Sequence, residues 1–130
     1  MTDSQRIPAI RTDAAPAPVG AYSQGRVAGP FLFTAGMGPL DPATGQVVGT
    51  DVATQTGVVL DHLEAILAQA GATLADVVKV TVHLEDSARD FAEFDRAYRA
   101  RMPEPFPVRT TVGSKLAGIL VEIDVVAFTG

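Results

Sequence analysis

Three side chains carry chemistry that their neighbours do not. Arg109 stands in Phe106-Pro107-Val108-Arg109-Thr110-Thr111-Val112, at the start of an alternating stretch that follows a proline-rich turn. A guanidinium there either makes a surface ion pair or offers its planar fork to a carboxylate through two parallel N–H···O bonds. Glu122 lies in Ile119-Leu120-Val121-Glu122-Ile123-Asp124-Val125. A carboxylate in such a run is either an outward polar position or a group held in a pocket, and Asp124, two residues on, shares its face. Tyr22, in Pro18-Val19-Gly20-Ala21-Tyr22-Ser23-Gln24-Gly25, is the third candidate, and by itself it reads as core or rim packing.

Other chemistries lack their residues. Cysteine is absent, which removes thiolates and disulfides and is compatible with a reducing cytosol. His62 and His83 are the two histidines, and neither has a second at i+3 or i+4, so no metal pattern forms. Both read as polar surface or partly buried side chains. No nucleophile elbow, dinucleotide-binding glycine motif or P-loop occurs. A Ser-His-Asp set assembled from distant positions stays open.

The elements that must position these groups follow from pattern. With 47% hydrophobic and 19% charged residues, the 130-residue chain is globular and fits one domain, 1–130. The formal charge of −5, without a clustered basic face, argues against nucleic acid. No apolar run approaches a membrane span, and Met1 to Arg11 lacks the order of a secretory signal, so a cytoplasmic protein is expected. Residues 1–17, with Ala14-Ala15-Pro16-Ala17, read as an extended N-terminal arm.

Strands are predicted over Ala21–Val27 and Phe31–Thr34 around an Ala28-Gly29-Pro30 turn, with a second turn at Asp41-Pro42-Ala43-Thr44-Gly45 and a short strand or extended loop at Val47-Val48. Asp51 through Ala70 predicts a helix, capped by Thr50 or Asp51 and ended by Gly71, with Gly57 as a point of close packing on a sheet. Val77–Leu84 alternates as a strand. Ser87 caps a second helix reaching about Arg101, with Phe91, Phe94, Ala97 and Tyr98 buried, while Arg96, Arg99 and Arg101 interleave with Glu93 and Asp95 as a solvated face. Val108–Val112 and Ile119–Phe128 are the last strands.

This order predicts an α+β fold, one mixed sheet with two helices on one face. Ile119–Phe128 is apolar on both of its faces, so the uncovered face calls for a partner, and a homo-oligomer is the simplest cover.

Taken together, the segments resemble the RidA/YjgF reactive-intermediate deaminases. Pro18–Gly25 is similar to the family's P-x-G-x-Y-x-Q-G opening. Phe33-Thr34-Ala35-Gly36 through Asp41–Gly45 is similar to its strand and P-x-T-G turn, Phe106–Thr110 to its F-P-x-R-[ST] signature, and Val121–Asp124 to its closing [IV]-E-[IV]-[ED]. The likeness covers about residues 14 to 128, with the pieces in order. It implies a chorismate-mutase-like fold, a homotrimer with active sites at subunit interfaces, and no metal or cofactor. It implies hydrolysis of small 2-enamine and 2-imine carboxylic acids (2-aminoacrylate, 2-iminopropanoate and 2-iminobutanoate types) to 2-keto acids and ammonia. Arg109 matches the carboxylate-binding arginine, Tyr22 the pocket tyrosine, Glu122 the glutamate near the attacking water, and Gly36 the glycine whose backbone approaches the ligand. Thr111 stands where a cysteine is frequent, Ala35-Gly36-Met37 where S-G-Q is frequent, and Gly113–Gly118 is a shortened segment without the usual L-P. A trimer of the same fold that binds small carboxylates, or regulates through them, without catalysis is the alternative.

Overall fold

Alternating residues with a tight turn between them begin the sheet. In the computed structural model, which describes residues 9–130, β1 (Ala9–Ile10), β2 (Gly25–Ala28) and β3 (Phe31–Thr34) run as an antiparallel set. Gly29, at φ 59°, supplies the positive φ that a two-residue hairpin needs at its first turn position. Next come α1 (Val52–Ala68), β4 (Val77–Leu84), α2 (Ser87–Arg101), β5 (Val108–Gly113) and β6 (Val121–Phe128). The sheet has the order β1-β2-β3-β6-β4-β5, with β5 parallel to β4 and the other pairs antiparallel. Strands joined in parallel need a crossover, and α2 is that crossover.

The predicted α+β fold is therefore the observed one. Val80, Val82 and Leu84 of β4 and Val121, Ile123, Val125 and Ala127 of β6 are buried under the helices with Leu32 of β3. α1 contributes Val52, Val59, Leu60, Leu63, Ile66 and Leu67 to this core, and α2 contributes Phe94 and Tyr98. Among the described residues, the other sheet face carries no helix. Cross-strand pairs place Phe31 beside Phe128 and Phe33 beside Val126 there, and Val108 and Val112 of β5 join that face opposite Lys79 and His83. Phe31 and Phe128 meet edge to face at 5.6 Å. Phe33, Phe128 and Val108 remain 46%, 47% and 67% exposed, so this uncovered face carries exposed apolar side chains, as the sequence predicts.

Several boundaries differ from the prediction. The first eight residues of the expected 1–17 arm lie outside the described residues. Ala9 and Ile10 are not a free arm but a strand on β2. The strand expected from Ala21 starts at Gly25, because the fully buried Gln24 side chain turns inward: it accepts from Thr12 N and donates to the carbonyls of Thr12 and Pro16. The last strand starts at Val121 instead of Ile119, since Leu120 N–H donates to Gln55 Oε1 at 2.8 Å. Asp51 caps α1 by accepting from Thr54 N, and Asp86, not Ser87, caps α2. Phe91 is 43% exposed, outside the buried face assigned to it. The face expected to be solvated is also tied down: Arg101 binds Asp61 and Glu64 of α1.

Gly57 needs a correction of its own. A Cβ there would meet nothing within 4 Å, so it makes no close packing. Its effect is the backbone entropy a helical glycine loses on folding. Gly57→Ala should stabilise the protein by about 0.5–1 kcal/mol, seen as a raised denaturation midpoint at unchanged m-value.

Candidate functional site

The proline-rich turn delivers β5 alongside β4 in a parallel register that pairs Arg109 with Val80 and Thr111 with Val82. Paired residues share a face, so Arg109 and Thr111 point to the helix side. There the Arg109 guanidinium lies 4.6 Å from the ring centre of Tyr98, 5.3 Å from Phe94 and 5.6 Å from Phe91. Its Nη1 donates to Asp95 Oδ1 at 2.9 Å, and 19% of its side chain stays exposed. Asp95, Tyr98, Arg99, Phe106, Pro107 and Arg109 line a cavity of about 260 Å³. Two guanidiniums face one carboxylate in it, so the lining carries an excess of positive charge suited to a small anion. Arg99 stacks over Phe106 at 5.5 Å. Among the described residues the buried Tyr98 hydroxyl has no hydrogen-bond partner; burial pushes it up, against the pull of Arg109.

Glu122 points the other way. It lies between the buried Val121 and Ile123, on the open face, opposite His83. A Cβ on Gly36 would sit 2.9 Å from Glu122 Cδ, so a larger residue there would have to displace this carboxylate from the 35–37 backbone. That backbone is held by paired bonds between Met37 and Ile123, at 2.8 and 3.1 Å. Asp124 shares the face, as expected; burial pushes its carboxyl up, against Lys79 and His83. His83 is not plain surface: its Nδ1 lies 2.7 Å from Ser114 Oγ. His62 is buried, with Nε2 at 2.7 Å from the Leu40 carbonyl, and burial pushes its pKa down.

Tyr22 sits apart from both groups. It is 47% exposed and lines a cavity of about 460 Å³ with Arg26 and Phe33, and its hydroxyl accepts from Val19 N at 3.1 Å. One chain thus joins Gly36 to Glu122 and Arg109 to Thr111 but does not unite all five residues. β2 and β5 are separated by β3, β6 and β4. At ~4.8 Å per strand, that is roughly 19 Å between the Tyr22 end and the Arg109 end. Among the described residues, no group of three or more His, Asp or Glu side chains could hold a metal ion, and no helix is long and apolar enough to cross a membrane.

The family model described as endoribonuclease L-PSP matches residues 12–129. The chain belongs to this family. A RutC family protein of Pyrococcus horikoshii is 46% identical over 121 residues, 92% of this chain and 95% of that protein. The crystal structure of RidA from an Antarctic Psychrobacter superposes with TM-score 0.84 at 34% identity, covering 93% of this chain and 98% of that one, so L-PSP and RidA/YjgF name one family here. The structure of Escherichia coli TdcF with bound serine superposes with TM-score 0.86 at 31% identity, covering 95% and 99% of the two chains.

Pattern reading passes over Asp95 and the aromatic face of α2 as partners of Arg109. The signal is nevertheless present. A βαβ unit brings the start of its second strand beside the crossover helix, and Phe91, Phe94, Asp95 and Tyr98 recur at helical spacing just before it. Burial pushes the Asp95 carboxyl up, but Arg109 and Arg99 outweigh it and hold the carboxyl below the ordinary carboxylate value. A folded pKa lowered in this way contributes stability that is present above the unfolded pKa and lost as pH falls through the folded one. Between about pH 6 and about pH 3, wild type should therefore lose more unfolding free energy than Asp95→Asn, measured by urea titration at each pH.

Proposed function

We propose that the protein hydrolyses small 2-enamine and 2-imine carboxylic acids to 2-keto acids and ammonia, in a homotrimer whose sites lie between subunits, in the cytoplasm. The observation that carries this reading is Arg109: a guanidinium fixed against aromatic rings, partly exposed, in a cavity with excess positive charge and room for a few carbon atoms. The serine bound by TdcF, itself a small carboxylate-bearing molecule, supports it. The endoribonuclease of the family description fits less well. RNA binding needs a basic track, whereas this chain has net charge −5 and sets Glu122 and Asp124 beside Lys79 and His83 in the middle of its open face.

Arg109 holds the substrate carboxylate as a two-pronged pair and fixes the imine carbon relative to water. Thr111 and the Gly36 backbone line the bound substrate, and Tyr22 closes over it. The imine carbon is already electrophilic, so the chemistry asks for neither a metal nor a covalent nucleophile. Water oxygen bonds to that carbon while Glu122 takes a water proton. Glu122 returns that proton to the imine nitrogen to complete the carbinolamine; the C–N bond then breaks as the hydroxyl proton passes, by way of Glu122, to the departing nitrogen, leaving ammonia and the C=O of the keto acid. Since Arg109 and the Glu122–Tyr22 side face opposite ways in one subunit, the reading requires the Arg109 of one copy to meet the open-face edge of another. The exposed Phe33, Phe128 and Val108 are the apolar surface such an assembly would cover.

The first test couples the protein to a pyridoxal-phosphate-dependent dehydratase that releases 2-iminobutanoate, and follows keto-acid formation. Wild type should accelerate release over spontaneous hydrolysis. Arg109→Lys should lower kcat/KM by about tenfold or more, because an ammonium cannot reproduce the flat contact. Glu122→Gln should lower kcat by roughly a hundredfold with little effect on KM. Ligand binding without acceleration would move the protein to the non-catalytic binder class. Sedimentation equilibrium should give three chains per particle, and a monomer at micromolar concentration would remove the shared-site scheme.

A further inference from the structure

The cation assigned to the substrate carboxylate already holds a carboxylate. Asp95 Oδ1 accepts from Arg109 Nη1 at 2.9 Å, and Asp95 Oδ2 accepts from Arg99 Nη2 at 3.3 Å. All three side chains line the same cavity. We propose that Asp95 is a specificity-determining residue that competes with the substrate carboxylate for Arg109, with Arg99 as its second resting place. This rests on the reading of Arg109 as the carboxylate clamp.

Charge and geometry both support it. A second carboxylate that reaches Arg109 meets the Asp95 charge across one guanidinium, and like charges this close disfavour each other. Asp95 touches Nη1 alone among the Arg109 nitrogens, so donors remain for an incoming anion. If the anion displaces Asp95, the Asp95 carboxylate keeps Arg99 and is not left buried without a counter-charge, the state that makes breaking an ordinary buried pair costly. Arg99 has the freedom this asks of it, since 65% of its side chain is exposed. Three aromatic rings within 5.6 Å hold the Arg109 guanidinium independently of Asp95, so exchanging one carboxylate for another leaves its position set. A site built this way discriminates by charge. It binds a strong anion by exchange and gives a neutral analogue no reason to displace Asp95.

Asn is nearly isosteric with Asp and can still accept from Arg109, so Asp95→Asn removes the charge and keeps the orientation. Asp95→Ser removes the charge with a shorter acceptor and covers the case in which Asn fails to fold. Propionate and propionamide are titrated calorimetrically into the full-length wild type, both Asp95 variants and Arg109→Ala, after thermal melts confirm folding. Propionate should bind Asp95→Asn about tenfold more tightly than wild type, at the low end of the effect of one charge at this range. Propionamide should bind both alike, which a merely structural role for Asp95 would not produce. Arg109→Ala should lose propionate. Unchanged or weaker propionate binding by both Asp95 variants, with binding lost in Arg109→Ala, would overturn the competitor and leave the clamp standing. Propionate binding by Arg109→Ala at wild-type strength, or by none of the proteins, would overturn both.

Discussion

Parallel pairing of β5 with β4 sets Arg109 opposite the buried Val80, and that register sends its guanidinium under α2 instead of onto the open face. Side chains alternate across a strand, so a slip of one residue would bring Val108 and Val112 under the helix and put Arg109 on the other side. Hydrophobicity alone favours that slipped arrangement. The native register wins because the guanidinium has three aromatic rings and a carboxylate waiting on α2, while the valines join an apolar face formed by Phe31, Phe33 and Phe128. Along β5 the usual assignment of apolar residues to the covered side is reversed, and the reversal positions the candidate site.

The same reversal marks where sequence reading stops. The long alternation of Val77–Leu84 and the helical stripe of α1 state their own structure, because each buries one regular face. Val121–Phe128 is likewise legible, and its pattern is enough to separate Glu122 and Asp124 from the buried face. Irregular segments are not legible in this way. The start of β2 depends on where the Gln24 amide finds carbonyls, and the start of β6 on Gln55, sixty-five residues away. Side-chain hydrogen bonds between distant segments leave no periodicity. Of the site, the residue types of Arg109, Glu122, Tyr22, Gly36 and Thr111 are visible in the motifs. Their division between opposite sides of one sheet depends on pairing register, and the engagement of Arg109 by Asp95 on how close a helix lies to an edge strand.

The open face has a polar centre between apolar borders. Phe31, Phe33, Val126 and Phe128 lie to one side, Val108 and Val112 to the other, and Lys79, Thr81, His83, Glu122 and Asp124 between them. A surface of this composition suits association better than either a uniform apolar patch or a solvated one. The borders supply area to bury, and the ionisable centre penalises any docking that leaves its charges unpaired.

Gln24 ties the chain before Tyr22 to the sheet through Thr12, Ala15 and Pro16, and Tyr22 in turn holds Val19. Prolines strip this stretch of N–H donors, so a single buried amide takes the part a neighbouring strand would have played. The segment that carries Tyr22 is fastened at both ends before any ligand arrives. Its conformational entropy is lost when the protein folds, so the rim of the cavity is arranged by the chain itself, and any group docking there would find a surface it does not have to order.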